Sequence, residues 1–371
     1  MNTGMENNFS KKFKNKTVLI TGHTGFKGSW LTAWLVKLGA NVVGIALNPP
    51  TNPSHFTAAK LSTRIKDLRI DVRNQIEVEN AIVEAKPDFV FHVAAQSLVR
   101  KSYENPIETW QTNVLGTINV LESLRKLNDP CTAVIITSDK CYKNMEQIEG
   151  YVETDELGGY DPYSASKGSA EIAIHSYIRS YFQIESSKVR IASARAGNVI
   201  GGGDWAEDRI VPDCVRNWSQ SNSVKLRNPN ATRPWQHVLE PLSGYLTLAL
   251  ALQSNSKLHG ESFNFGPNPE ENYSVLELVT EMSIYWDRVK WEDVSEIPSK
   301  YHESGLLKLN CKKSLDLLSW HAAMNFKETI HLTSEWYNLF YIAPDEILNV
   351  TNKQIEIYSK LAKEEGLQWA Q

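Results

Sequence analysis

Four short apolar runs, separated by stretches of helical periodicity, constrain this chain more than any other feature. Thr17-Val18-Leu19-Ile20, Val42 to Leu47, Phe89 to Val93 and Thr132 to Ile136 are rich in β-branched residues and too short for helices. Between or after them, 29–38, 74–85, 109–127 and 162–182 read as helices, with Pro162 placed in a first turn. Strands apolar along their whole length are covered on both faces, and helix-length crossovers make their neighbours parallel. The spacing therefore predicts an α/β chain, a Rossmann-type doubly wound parallel sheet. Beyond Ala196 the sequence turns to Gly/Trp/Pro-rich loops, which predicts a smaller C-terminal substrate-binding lobe. The expected division assigns 1–197, with a returning segment near 235–262, to a dinucleotide-binding domain. It assigns 198–234 and 263–371 to the lobe.

The first strand runs directly into Gly22-His23-Thr24-Gly25-Phe26-Lys27-Gly28, which runs directly into a helix. Glycines at such a junction let the backbone approach a pyrophosphate, which rests on the free N–H groups of the helix start. Gly22, Thr24, Gly25, Phe26 and Gly28 are the expected phosphate cradle. About twenty residues after the glycines of such a loop, a strand end presents a group to the adenosine ribose; here that residue is Asn48. Asn48 can hydrogen-bond a free hydroxyl. No arginine follows it immediately to hold a 2′-phosphate, Arg64 being the nearest read from the sequence. Asp71 and Val72 are placed for the adenine, with plain solvation as the other reading of the acid.

A second cluster carries the chemistry. Thr137-Ser138-Asp139-Lys140 follows the fourth apolar run, and Tyr163 and Lys167 are four apart on a helical segment and share one face. An ammonium beside a phenol favours the phenolate, which makes a tyrosine a base near neutral pH. For an arbitrary Asp-Lys pair a solvated turn is the better reading; beside Ser138 and upstream of Tyr163 and Lys167 it is not.

Composition removes other classes. A formal net charge of −4 gives no long-range attraction for nucleic acid or anionic membrane. No apolar stretch approaches a membrane span, and the polar segment 1–16 has no signal-peptide core, so a cytoplasmic protein is expected. Cys131, Cys141, Cys214 and Cys311 lack paired spacing, which predicts reduced thiols and no metal site. His23 and His92 read as loop and strand residues.

The glycine loop, His92-Val93-Ala94-Ala95, Asn113 and the Tyr163/Lys167 pair together resemble the extended short-chain dehydrogenases/reductases. Longer strings are similar to the CDP-glucose branch of the sugar-nucleotide 4,6-dehydratases: Gly22 to Trp30, Thr137 to Tyr142, Gly158 to Tyr163, Ala196 to Trp205 and Arg233 to Pro241. The similarity extends from about residue 16 to about 270 and fades from about Pro298. The resemblance implies an NAD cofactor touching Ala94, Ala95, Gln96, Asn113, Tyr163 and Lys167. It also implies Tyr163 as base at the sugar 4-hydroxyl, Lys167 lowering its pKa and Ser138 sharing its hydrogen bond. Asp139 would protonate the departing 6-hydroxyl and Lys140 would take the C5 proton. Lys140 stands where dTDP- and GDP-sugar relatives carry glutamate; as a base it has to be neutral, so the reading requires a lowered pKa.

A diphosphate calls for planar, multidentate donors. Arg209, Arg227 and Arg233, with Asn198 and His237, are the expected nucleotide-sugar contacts. Trp205 reads equally as a stacking platform and as core. Two other functions compete: a 4-epimerase or reductase of the same superfamily, and a noncatalytic dinucleotide sensor. An epimerase needs no acid and base at C6 and C5, and a sensor has no use for Ser138, Tyr163 and Lys167 together. By analogy with the family, the helical segments 109–127 and 162–182 imply a homodimer or a dimer of dimers.

Overall fold

The computed structural model describes residues 8–184, 187–287, 289–296 and 306–371. Parts of the expected polar leader (1–7) and of the expected lobe (288, 297–305) lie outside the described residues. Seven strands form one sheet: β1 (Thr17–Thr21), β2 (Asn41–Ala46), β3 (Lys66–Arg69), β4 (Phe89–His92), β5 (Cys131–Ile136), β6 (Val189–Arg195) and β7 (Ser262–Asn264). Their spatial order is β7-β6-β5-β4-β1-β2-β3, and every neighbouring pair is parallel. The order reverses between β1 and β4, so the loops leaving these two strands diverge and open a crevice at the carboxyl ends.

The two-residue period of each strand divides the apolar side chains between two layers. Val18 and Ile20, Phe89 and Phe91, and Val134 and Ile136 face the larger core, with α2 (Phe26–Lys37), α6 (Leu239–Ser254), α7 (Phe326–Ile342) and α8 (Ile347–Glu364). Leu19, Val90, Ala133 and Ile135 face the other, with α3 (Gln75–Ala85), α4 (Gly116–Leu124) and α5 (Pro162–Tyr177). Each fully buried Val, Leu or Ile contributes about 1.5–3 kcal/mol. The doubly wound arrangement is the one that covers both faces.

Three expectations need correction. The helix expected over 109–127 is three pieces: Pro106–Trp110, a π-helical turn Gln111–Leu115, and α4. The segment 162–182 likewise ends in a π-helical turn, Ile178–Phe182. The expected division of the chain also shifts. Ser262–Asn264 pairs with β6 inside the main sheet, so the returning segment continues to Asn264. Helix α8, expected in the lobe, lies against α2 instead. Its Tyr358 meets Trp34 of α2 edge-on at 5.9 Å, and Trp369 beyond it stacks on Phe9 of α1 (Asn8–Phe13) at 4.6 Å. The reason is the apolar surface of α2, Trp30 to Leu35, which the sheet alone does not cover.

Candidate active site

The glycine loop is built for close approach. Gly22 has φ +76°, and a Cβ there would lie 2.7 Å from the Ala94 backbone, so only glycine fits between β1 and the loop after β4. Gly25 is the N-cap of α2 and no side chain caps that end, leaving first-turn N–H groups directed at the crevice. His23, Gly44 and Asp67 lock the loop from behind: the imidazole Nε2 pairs with Asp67 Oδ1 at 2.8 Å, and a Cβ at Gly44 would strike the ring.

This crevice is one continuous groove of about 2080 Å³, more than the ~300–1,000 Å³ of a single small-molecule site. It has room for a dinucleotide and a second nucleotide together. One end is lined by Gly22, Thr24, Gly25, Phe26, Gly28, Asn48, Asp71, Val72, Ala94, Ala95 and Gln96. The middle is lined by Ser138, Asp139, Lys140, Tyr163 and Lys167, and the far end by Asn198, Arg209, Arg227 and Arg233. Two expected contacts are absent from its wall. Asn113 is buried and clamps the β4 loop: its Oδ1 accepts from the Gln96 N–H at 2.9 Å and its Nδ2 donates to the Gln96 carbonyl at 3.0 Å and Ser166 Oγ at 2.9 Å. His237 is fully buried against Trp30, and its Nδ1 accepts from the Leu239 N–H at 3.3 Å. Burial lowers its pKa to about 3. It supports the lobe instead of meeting substrate. Trp205 packs on Trp336, Tyr337 and Phe340 while also bordering the groove.

The reacting centre sits where β5 ends against α5. Asp161 caps α5 by accepting from the Ser164 N–H, and Pro162 occupies its first turn. That fixes Tyr163 and Lys167 on the helix face turned to the sheet, 7% and 4% exposed. Ser138 shares this wall of the groove with Tyr163, and its Oγ donates to Asp139 Oδ1 at 2.8 Å and accepts from the Lys140 N–H at 3.2 Å. Asp139 is 2% exposed, packed into the space left by Gly197, where a Cβ would overlap its carboxylate. Lys140 is partly exposed on the groove wall.

Electrostatics depart from expectation at Tyr163. Burial pushes its phenol up to about 12; Ser138 and Arg209 pull it down, and the Asp139 charge adds to the rise. Lys167 follows one turn further along the same helix. Its ammonium donates to the Ile136 carbonyl at 3.5 Å, and burial lowers its pKa to about 8 against the upward pull of Glu171. Glu171, one further turn along α5, anchors a buried network. Arg195 Nη2 donates to it at 2.8 Å, Ser193 Oγ at 2.9 Å, and Thr137 from the β5 end also donates. Burial alone would raise the Glu171 carboxyl; the Arg195 charge and these hydrogen bonds win and hold it at about 2.

Two residues escaped the sequence reading. Lys27 lines the groove within the electrostatic reach of Asp139, Arg209 and Lys167, and burial lowers its pKa to about 8. The signal was its place inside the glycine loop, where a lysine is a charge at the cofactor mouth. Arg69, not Arg64, is the arginine beside Asn48: β2–β3 pairing sets Ala46 opposite Arg69, whose Nη1 donates to the Leu47 carbonyl at 2.9 Å and whose Nη2 pairs with Asp67 at 2.7 Å.

The substrate end is partly pre-paired. Arg209 bonds Asp204 Oδ2 at 2.7 Å, Arg227 bonds Asp208 Oδ1 at 2.9 Å, and Arg233 donates to the Thr232 carbonyl at 2.8 Å. Asn198 has φ +51° and a buried Nδ2 without a partner. An orphaned donor on a groove wall is an open position for a ligand oxygen.

Comparison with known proteins agrees with this geometry. Residues 19–333 match the family model described as GDP-mannose 4,6 dehydratase. A CDP-glucose 4,6-dehydratase from Salmonella typhimurium is 44% identical over 350 residues, 93% of this chain and 97% of that protein. The chain belongs to the sugar-nucleotide 4,6-dehydratases. More distant relatives include a CDP-paratose 2-epimerase from Salmonella typhi, 25% identical over 86% of this chain and 98% of that protein. Among solved structures, the UDP-glucose 4-epimerase of Stenotrophomonas maltophila, with bound NAD and formylated UDP-arabinopyranose, superposes with TM-score 0.76 at 19% identity, over 89% of this chain and all of that one. The UDP-glucose 4-epimerase of Thermotoga maritima with UDP-glucose gives 0.71 at 20% identity, over 88% and 99%. These two likenesses establish that the dehydratase shares its fold with these epimerases.

Proposed function

We propose that this dehydratase converts CDP-glucose to CDP-4-keto-6-deoxy-glucose with NAD as a cofactor that is restored in each cycle. One observation carries the reading: Tyr163, Lys167, Ser138 and Asp139 line the wall of one groove large enough for two nucleotides, with Ser138 Oγ donating to Asp139 Oδ1 at 2.8 Å. An epimerase or reductase has no use for a buried Asp beside that serine. The 44% identity to a CDP-glucose enzyme supports the base.

The residues fit a nicotinamide dinucleotide. Gly22, Gly25, Phe26 and Gly28 would present backbone to a diphosphate, and Asn48, Asp71, Val72, Ala94, Ala95 and Gln96, which line the same groove, would hold the ribose and adenine. Arg69 is held by Leu47 and Asp67, which favours NAD over its 2′-phosphate. When bound, such a cofactor supplies a hydride acceptor for sugar C4 and a donor for C6. The chain's own groups do the proton work. Tyr163 takes the 4-hydroxyl proton, Lys140 the C5 proton made acidic by the C4 ketone, and Asp139 protonates O6 as water departs. Asn198, Arg209, Arg227 and Arg233 hold the sugar nucleotide. In this division 1–197 with the return to Asn264 serves the cofactor, and 198–234 with 265–342 serves the substrate.

A cytoplasmic homodimer or dimer of dimers is part of the proposal. Supporting it, the four cysteines are free thiols, and no described helix is long and apolar enough to cross a membrane. Trp110, Leu115, Ile172 and Tyr181 stand exposed on the helices around α4 and α5. Incubation with CDP-, dTDP-, GDP- and UDP-hexoses, followed by detection of a 4-keto-6-deoxy sugar, tests reaction and base together. Product from CDP-glucose alone is expected; turnover of another nucleotide sugar in preference, or a 4-epimer as product, contradicts the reading.

A further inference from the structure

We propose that Gln236 is a positioning residue for the elimination: through the Gly197 carbonyl it holds the Asp139 carboxyl where the departing 6-hydroxyl needs its proton. The inference rests on the dehydratase reading and deepens it. Gln236 belongs to the Arg233 to Pro241 string but not to the groove wall. It is buried, and with His237 it pairs in parallel with Val199 and Ile200. Its Nε2 donates to the Gly197 carbonyl at 2.9 Å and to the Phe265 carbonyl at 3.1 Å, and its backbone N–H donates to the Asn198 carbonyl at 3.2 Å. One side chain thus ties together the loops that leave β6 and β7. Gly197 is the point of contact with the acid. Ser138 Oγ holds Asp139 Oδ1 at 2.8 Å, while Oδ2 occupies the place that a Cβ on Gly197 would take.

Packing alone does not call for a glutamine here. Both hydrogens of Nε2 are committed to carbonyls, which fixes the orientation of the amide and leaves Oε1 buried without a partner. An apolar side chain of the same size would spare the core that unsatisfied acceptor. What it would lose is the grip on Gly197. Asn198 takes φ +51° directly after it, so the backbone turns sharply and the place of Gly197 depends on what holds its carbonyl. A cavity of about 30 Å³, with room for one water, borders Asp139, Gly197, Asn198 and Gln236. Once the Gly197 carbonyl is released, the loop has that space to shift into, and the carboxyl loses the surface that confines it. In the step at stake the Asp139 O–H bond breaks and its proton bonds O6. The C6–O6 bond breaks with its electron pair leaving on the water, and the pair freed at C5 forms the C5–C6 double bond. A misplacement of about 1 Å is enough to slow such a step about 10²-fold. Tyr163 and Lys167 are held by α5, and Lys140 by its own N–H bond to Ser138. Oxidation at C4 and removal of the C5 proton therefore do not depend on Gln236.

The decisive variant is Gln236→Leu, which keeps the volume and removes both donors. In a single turnover with CDP-glucose, oxidation at C4 should match wild type while elimination slows about 10²-fold. Reduced-nicotinamide absorbance then rises normally and persists. Lys140 goes on taking and returning the C5 proton, so CDP-glucose recovered from deuterated water, after the hydride has gone back to C4, should carry deuterium at C5. CDP-6-deoxy-6-fluoroglucose supplies the control: fluoride leaves without a proton, so its elimination should keep the wild-type rate in the variant. A merely structural role would slow both substrates and both half-reactions alike. Such uniform slowing, or elimination from CDP-glucose at the wild-type rate, overturns the proposal. Should Gln236→Leu fail to fold, Gln236→Met, unbranched and adaptable, gives the same comparison. Failure of the dehydratase reading looks different: wild-type enzyme would give no 4-keto-6-deoxy product.

Discussion

Gly197 and Asp139 share one volume: the carboxylate occupies the space that a side chain at position 197 would fill. The loop after β6 thereby sets the rotamer of a residue at the end of β5. Gly197 does not have positive φ, so alanine meets a steric conflict and no backbone strain. Gly197→Ala is expected to cost about 1–3 kcal/mol of stability through overpacking and to reduce kcat by about 10²-fold or more by displacing the acid. In the double variant Gly197→Ala/Asp139→Ala the stability loss should shrink, because the colliding group is gone. Thermal unfolding of the four proteins of this cycle measures it; additive losses would mean that the two residues do not conflict.

Tyr163→Phe keeps the ring and the helix and removes only the oxygen proposed to take the 4-hydroxyl proton. Turnover should fall by about 10²–10⁴-fold while nucleotide affinity stays near wild type. Equilibrium binding of NAD beside steady-state kinetics separates the two; near-normal turnover removes Tyr163 from the chemistry.

The sequence was a good guide where side-chain type alone decides structure. β1, β2, β4 and β5 carry apolar runs that no exposed element tolerates, and the glycine loop has one natural setting. β3, with Lys66-Asp67-Leu68-Arg69, has no such signal, since an edge strand is fixed by its partner β2. β7 is three residues long and equally silent. Asn113 and His237 have the polarity of ligands, yet their hydrogen bonds are internal. Nothing in the spacing of either residue distinguishes a clamp from a contact. Lys27 sits among the glycines of the loop, and its spacing carries no signal of its own. The place of α8 depended on the uncovered tryptophans of α2, a fact of packing that local pattern does not carry.

The alkaline side of the pH–rate profile should report Lys167. Burial holds it at about 8, and Glu171 pulls it upward. Activity needing the ammonium is therefore present below pH 8 and lost as pH rises through it. Glu171→Gln removes the upward pull, so the limb should move to lower pH while KM for the sugar nucleotide changes little. Breaking the Arg195 ion pair also costs about 3–5 kcal/mol, so the profile is measured well below the variant's Tm. An unmoved limb would show that Glu171 serves the fold alone.

Glu240 provides a stability test remote from the chemistry. It joins α6 to α8 by accepting from Tyr358 Oη at 2.8 Å and from the Ala323 and Met324 N–H groups at 2.9 and 2.7 Å. Burial raises its pKa from 4.5 to about 7. The folded form then binds more protons than the unfolded one between these values. Its contribution is full below about pH 4.5 and is lost as pH rises through 7. Wild-type Tm should fall from pH 5 to pH 8 relative to Glu240→Gln, which cannot titrate. Parallel Tm curves for the two proteins would rule the linkage out.

The central claim is that one cycle oxidises C4, expels O6 and reduces C6 with the same hydride. CDP-glucose carrying deuterium at C4, turned over with catalytic NAD in ordinary water, tests it in a single product analysis by NMR and mass spectrometry. The account predicts 4-keto-6-deoxy product with the deuterium at C6 and no net change in the cofactor. In Lys140→Met it predicts oxidation at C4 without release of that product. Deuterium lost to solvent, retained at C4 of an epimer, or left on a cofactor consumed in proportion to substrate would contradict it.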